Sequence, residues 1–160
     1  MPATDAAVSE YERERGKPMP SRLHSLTESL LSAQLWQNSS NYHIHGELTL
    51  DIDGYETTPD LSIYPETDVD YTRDEVRVTE PPLVAIEIAG PTKSTQVLID
   101  KIRGLLDAGV RSCWLVQPAL RIITTFDETM HSQTYSEGIV TDPATGIEVA
   151  LEEVFLGTKG

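Results

Sequence analysis

One cysteine in 160 residues, Cys113, removes several classes of chemistry at once. It excludes an intrachain disulfide and any zinc site built on several thiolates. Its place in the apolar run SCWLV also lacks the exposed, electropositive setting of a nucleophilic thiolate. Long apolar runs are missing too, and no stretch approaches the ~20 residues that cross a bilayer. The opening MPATDAAVSEYERER has neither a basic start nor an apolar middle, so no secretory signal is read there and cytoplasm is the expected compartment. There is no glycine-rich phosphate loop, no GxSxG, no internal repeat and no low-complexity segment.

Basic residues are scarce. Twelve Lys and Arg face 26 Asp and Glu, a formal net charge of −14. Such a surface repels nucleic acid at long range, because phosphate binding is driven largely by Lys and Arg. The charge weighs against a DNA-acting function without excluding it, and in a salt-rich cytoplasm the repulsion is screened.

What is present suits one globular domain with a real core: 39% hydrophobic residues and a mean hydropathy of −0.27. Residues 1–9 read as a frayed tail and 10–160 as a single domain. A helix at 10–15 is stopped by Gly16, Pro18 and Pro20. Ser21 is a candidate N-cap for a helix from Arg22 to about Asn38, with Leu23, Leu26, Leu30, Leu31 and Leu35 facing the core. Tyr42 to Leu50 alternates as a strand, DIDG (Asp51 to Gly54) turns the chain, and Tyr55 to Tyr64 returns as a strand that Pro59 places at an edge or interrupts. Residues 65–80 form a polar, acidic loop.

The chain is organised around 82–101. Leu83 to Ala89 is a strand, with Leu83, Ala85, Glu87 and Ala89 on one face and Val84, Ile86 and Ile88 on the other. A helix from about Ser94 to Ala108 turns Leu98, Ile102, Leu105 and Leu106 inward and is closed by Gly109. Strands follow at 112–116, 120–126, 131–136 and 147–151, with a short helical turn at 152–156. The order α-β-β-β-α-β with further strands predicts an α/β fold around a mixed sheet.

Glu87 is the anomaly, a carboxylate in a strand that should be buried, where it is costly unless paired, hydrogen-bonded or metal-bound. Asp60 lies on the preceding strand. Two acids on adjacent strands can hold a hard cation such as Mg²⁺. Each alone has a plainer reading: Asp60 as a strand-end acid, Glu87 as the partner of a buried base. Lys101, on the border of the apolar stripe of the following helix, can bury its stem and send its ammonium to a polar cleft, or snorkel to solvent. Lys93 is the competing lysine, read as exposed in its loop. His43, His45 and Glu47 share a strand face and invite a second metal reading, but no glutamate follows at cupin spacing. His24 is read as a surface or capping group, and Trp36 and Trp114 as core.

The segments TPDLSIYP, PPLVAIEIAGPTKS and DKIRGLLDAGVRSCWLVQP, with ERERGKPMPSRLHS upstream, resemble the Uma-two family of restriction endonuclease-like proteins in the PD-(D/E)XK nuclease superfamily. The resemblance spans Glu12 to Pro118. It implies a restriction-endonuclease-like αβββαβ core and a nuclease that hydrolyses phosphodiester bonds, of DNA above all, with Mg²⁺ or Mn²⁺. Asp60 matches the aspartate of the PD motif and Glu87 the acid of ExK. The backbone carbonyl of Ile88 would be a further metal ligand, and Glu12 matches an N-terminal glutamate of the family. Lys101 matches a lysine in the following helix that stands in for the usual one, because the ExK lysine position is Ala89. Gly90 stands where a serine is common, and Val97 where an aspartate is frequent. Duplex cleavage by so small a domain implies a homodimer. Two rival readings remain at this level: a nuclease-fold interaction protein whose site has decayed, and a small metal-binding β protein using His43 and His45.

Overall fold

The computed structural model describes residues 10–15, 17 and 19–157. The predicted tail 1–9 lies outside them. In chain order the elements are α1 (Glu10–Arg15), α2 (Arg22–Asn38), β1 (Tyr42–Gly46), β2 (Thr49–Ile52), β3 (Tyr55–Thr57), β4 (Leu61–Pro65), β5 (Arg77–Val78), β6 (Val84–Ile88), α3 (Thr95–Asp107), β7 (Ser112–Gln117), β8 (Ile122–Asp127), β9 (Ser132–Tyr135), β10 (Ile139–Thr141), β11 (Glu148–Ala150) and α4 (Leu151–Val154).

Six strands form the main sheet in the order β1-β4-β6-β7-β8-β9. Only β6 and β7 run parallel, joined by α3, and the other neighbours are antiparallel. Helix α2, the β10-β11 hairpin and α4 pack on one face through Leu31, Leu35, Val140, Val149 and Val154. Helix α3 and a small β3-β2-β5 sheet cover the other, where Leu98, Ile102 and Leu105 meet Leu50, Ile52 and Ala85. This is the mixed α/β sandwich that the element order implied.

The central strand VAIEI is buried along its whole length, as a strand between two covered faces should be. Both long helices start on serine caps: Ser21 Oγ accepts the His24 N–H, and Ser94 Oγ accepts the Val97 N–H, each at 3.2 Å. Gly109 sits at φ +110°, the left-handed position that ends α3. One buried acid outside the site is structural. Asp142 accepts from Ser112 Oγ (2.6 Å) and Trp114 Nε1 (2.8 Å) with one oxygen, and from the Ala144 and Thr145 amides with the other. It pins the β10-β11 hairpin to β7.

Four expectations are corrected. Tyr42 to Leu50 is not one strand: Glu47 takes a left-handed conformation (φ 54°), so β1 joins the main sheet and β2 the small one. Tyr55 to Tyr64 is interrupted around Pro59 into β3 and β4, as one of the two expected outcomes had it; the edge placement is what fails, since β4 lies inside the sheet between β1 and β6. The acidic loop contains β5, paired in parallel with β2. In α2 the buried residues are His24, Thr27, Leu31 and Leu35, whereas Leu23, Leu26 and Trp36 are exposed. Trp114, by contrast, is fully buried.

Candidate active site

The strand break after β3 delivers Asp60. Its backbone is tied on both sides, donating its N–H to the Ile86 carbonyl (3.1 Å) and accepting the Glu47 N–H (3.0 Å). Its side chain, 2% exposed, is tied as well. Oδ2 accepts the Ile88 N–H at 2.7 Å, so Asp60 is clamped across the end of β6. Oδ1 faces two bases: Lys17 Nζ at 2.5 Å and His24 Nε2 at 3.1 Å. Burial alone would raise the Asp60 carboxyl, but the hydrogen bond from His24 and the charge of Lys17 outweigh it and hold the group well below the usual carboxylate range.

Glu87 projects from β6 on the face covered by α3, beside Ala85 and Ala89, which pack there. Lys101 comes down from α3 to meet it, Nζ to Oε1 at 3.1 Å, and also donates to the Thr58 carbonyl at 3.3 Å. The second oxygen, Oε2, is buried without a hydrogen-bond partner. Burial pushes the Glu87 carboxyl up to about 7, Lys101 pulls it back in part, and the Asp60 charge adds to the rise. An orphaned carboxylate oxygen at this depth calls for a cation or a proton. The donor set, two carboxylates of which one has a spare oxygen, fits a hard divalent ion.

A pocket of about 150 Å³ opens onto both acids, lined among others by Lys17, His24, Asp60, Glu87, Ile88 and Lys93. Lys93 is therefore half-buried at the pocket wall, where an exposed loop lysine was expected. Burial, then the nearby Lys101 charge, lowers its pKa. Glu12 is not among the lining residues; its Oε2 accepts the Met19 N–H at 2.9 Å and braces the segment that carries Lys17.

Three groups at the site were not legible as such. Lys17 pairs with Asp60 and with Glu47 (3.2 Å) and donates to the Thr58 carbonyl (3.1 Å). His24, expected at the surface or as a cap, is buried against Asp60. Glu28, one turn after His24, is pushed up to about 8 by burial and then by its hydrogen bond to Glu47. The i, i+4 pair His24 and Glu28, on the same side as Leu31 and Leu35, was the available signal. On β1, His43 stacks obliquely near Trp36 (ring centroids 6.2 Å apart) and His45 meets Tyr64 edge-on (5.3 Å). Among the described residues, the group of three or more His, Cys, Asp or Glu side chains close enough to share one ion is His24, Glu28 and Asp60, and it does not include the β1 histidines. Among them, too, no helix is long and apolar enough to cross a membrane.

A solved structure supports the fold. The crystal structure of a protein described as a putative nuclease belonging to DUF820, from Anabaena variabilis, matches with a TM-score of 0.75 and 19% identity, over 86% of this chain and 83% of that one. No curated protein matches the chain. A family model described as Uma2, putative restriction endonuclease, matches residues 10–157, almost the whole chain. The chain therefore belongs to the Uma2 family of restriction endonuclease-like proteins.

Proposed function

We propose that this protein is a divalent-metal-dependent nuclease that hydrolyses phosphodiester bonds of nucleic acid, DNA being the favoured substrate, and that it acts as a homodimer. One observation carries the reading: two buried acids from neighbouring strands flank one pocket, and one of them keeps an unpartnered oxygen there. Asp60, Glu87 and the backbone carbonyl of Ile88 would hold Mg²⁺ or Mn²⁺. The Ile88 N–H already points to Asp60, and in an extended strand the carbonyl of the same residue points to the same edge. The bound ion supplies Lewis acidity at a phosphoryl oxygen and lowers the pKa of nearby water.

The chain's own groups do the rest. Asp60 stays ionised at neutral pH because His24 and Lys17 face it. Lys101 reaches Glu87 from α3, on the sheet face that also carries Ala89, so its ammonium takes over where the ExK lysine is missing, orienting the attacking water and stabilising charge on the phosphate. Lys93 offers a second ammonium at the wall for a phosphate oxygen. A decayed, non-catalytic nuclease fold is the second reading, favoured by Ala89 and by the net charge of −14.

A calorimetric Mn²⁺ titration of the wild type, Asp60→Ala and Glu87→Ala separates these, run beside cleavage of plasmid and single-stranded DNA by the wild type and Glu87→Gln. Saturable binding lost in both alanine variants, with cleavage lost in Glu87→Gln, is the expected result. Metal binding without cleavage of any substrate selects the decayed reading.

A further inference from the structure

The His24 side of Asp60 already holds a cation. The Lys17 ammonium, on a side chain only 8% exposed, lies 2.5 Å from Asp60 Oδ1 and 3.2 Å from Glu47 Oε1. The Thr58 carbonyl accepts from it at 3.1 Å. Three oxygens, two from the Thr58–Asp60 stretch and one from Glu47, thus converge on one positive charge, the surroundings that a hard cation also takes. Two further donors stand beside it. His24 Nε2 is 3.1 Å from the same Asp60 oxygen, and its other nitrogen, Nδ1, is buried without a hydrogen-bond partner, 3.9 Å from Glu28 Oε1. One atom from each of His24, Glu28 and Asp60 can be drawn from a group lying within 4.8 Å of one another, the spacing of ligands around a single ion.

We propose that this is a second divalent-cation seat, with His24, Glu28 and Asp60 as its ligands, which Lys17 fills with its ammonium until an ion displaces it. The inference rests on the nuclease reading only in sharing Asp60. It is separate from the Glu87 and Ile88 side of the pocket, where Asp60 presents Oδ2. One oxygen cannot serve an ammonium at 2.5 Å and a divalent ion at ~2.1–2.5 Å together, because the two cations repel. Lys17 must therefore leave. It can do so without disturbing the sheet, since Lys17 itself belongs to none of the paired strands. A nitrogen ligand in the set favours Mn²⁺ and later first-row metals over Mg²⁺.

The test uses the full chain and Mn²⁺. Lys17→Met keeps the apolar stem and removes the charge, while Lys17→Gln keeps hydrogen-bond donors without charge and guards against a folding defect in the first. Calorimetry should show Mn²⁺ binding about tenfold tighter in both variants, as expected if the resident ammonium leaves roughly a tenth of wild-type molecules with an open seat. Adding His24→Ala should cancel that gain. In the wild type, amine acylation read by mass spectrometry should find Lys17 protected without metal and labelled at saturating Mn²⁺. Unchanged or weaker Mn²⁺ binding in both Lys17 variants, or Lys17 labelling that ignores Mn²⁺, overturns the seat. If that binding is still lost in Glu87→Ala, the Asp60–Glu87 site stands alone. No Mn²⁺ binding to any form overturns both.

Discussion

Lys17 and Lys101 donate to the same acceptor, the carbonyl of Thr58, at 3.1 and 3.3 Å. Each also holds its own acid, Lys17 on Asp60 and Lys101 on Glu87. The residue two before Asp60 thereby ties the two ion pairs into one unit. Charges so close are not independent, and changing one member should shift the others.

Removing the Lys101 ammonium tests the half of that unit proposed to act in cleavage. Lys101→Met should lower DNA cleavage by roughly 100-fold or more, the scale of a lost charge-stabilising group in a dry site. Circular dichroism should report an intact fold. Lys101→Arg should recover little, because a planar fork cannot take the place of a compact ammonium between Glu87 Oε1 and the Thr58 carbonyl. Full activity in Lys101→Met would transfer the role to Lys93 or Lys17.

Stability of the metal-free protein should depend on pH with a definite sign. Glu87 titrates near 7 in the folded chain and near 4.5 when unfolded, so the folded state holds the extra proton between those values. Its contribution is complete below about 4.5 and is lost as pH rises through 7. Glu28 acts the same way, up to about 8. Asp60 acts oppositely: its depressed pKa stabilises the fold above 3.8, and that part is lost as pH falls through the lowered value. Urea unfolding should therefore place maximum stability near pH 4–5, with a fall on the order of 1–3 kcal/mol toward pH 8. Glu28→Gln and Glu87→Gln should each flatten that fall. A slope unchanged in both variants would assign it to the general surface charge instead.

Asp142 carries no predicted chemistry, yet its loss should be severe. Asp142→Ala strips acceptors from Ser112, Trp114 and two amides of its own turn. A destabilisation of about 3 kcal/mol or more is expected for a buried charged acceptor with several donors. Denaturant unfolding measures it, and a red shift of tryptophan emission should accompany exposure of Trp114. Asp142→Asn should do less damage, because one oxygen survives.

Gly104 tests how the small sheet docks. A Cβ there would lie 2.5 Å from the Tyr55 hydroxyl of β3. Gly104→Ala should thus displace Tyr55 and cost about 1 kcal/mol, even though alanine gains about that much in a free helix. In a Tyr55→Ala background the hydroxyl and the ring carbon Cζ, which would lie 2.8 Å from that Cβ, are both gone, and the same change should become neutral or stabilising, a reversal that chemical denaturation can resolve.

Much of the frame was legible because it rests on strong local signals. Inward apolar residues and the closing Gly109 define α3, and a run of β-branched residues with one acid in it defines β6. The register of α2 was misread for an instructive reason. Two sets of residues at helical spacing were available, Leu23-Leu26-Leu30 and His24-Thr27-Leu31-Leu35, and hydrophobicity favours the first. The chain buries the second, because the start of that face supplies His24 to Asp60. The division of 42–52 between two sheets was equally hidden. It turns on the left-handed backbone of Glu47, a residue with no such preference, held by its N–H to the Asp60 carbonyl and by Lys17. Asp60, Glu87 and Lys101 were singled out from the PD and ExK motifs and the family resemblance, and the fold brings Lys101 onto Glu87. Lys17 was not, since a lysine between a glycine and a proline carries no periodic signal of where it will land.

The parallel pair β6-β7 at the centre of the main sheet has a kinetic consequence. Parallel neighbours cannot zip from a tight turn; they wait for α3 to form and cross over. Asp60 is clamped by the end of β6, and Lys101 lies on that crossover helix. Glu87 and Lys101 therefore meet only once that helix has formed and crossed over. This half of the site is a product of tertiary assembly that no local segment can make alone, so the constellation exists only in the folded chain.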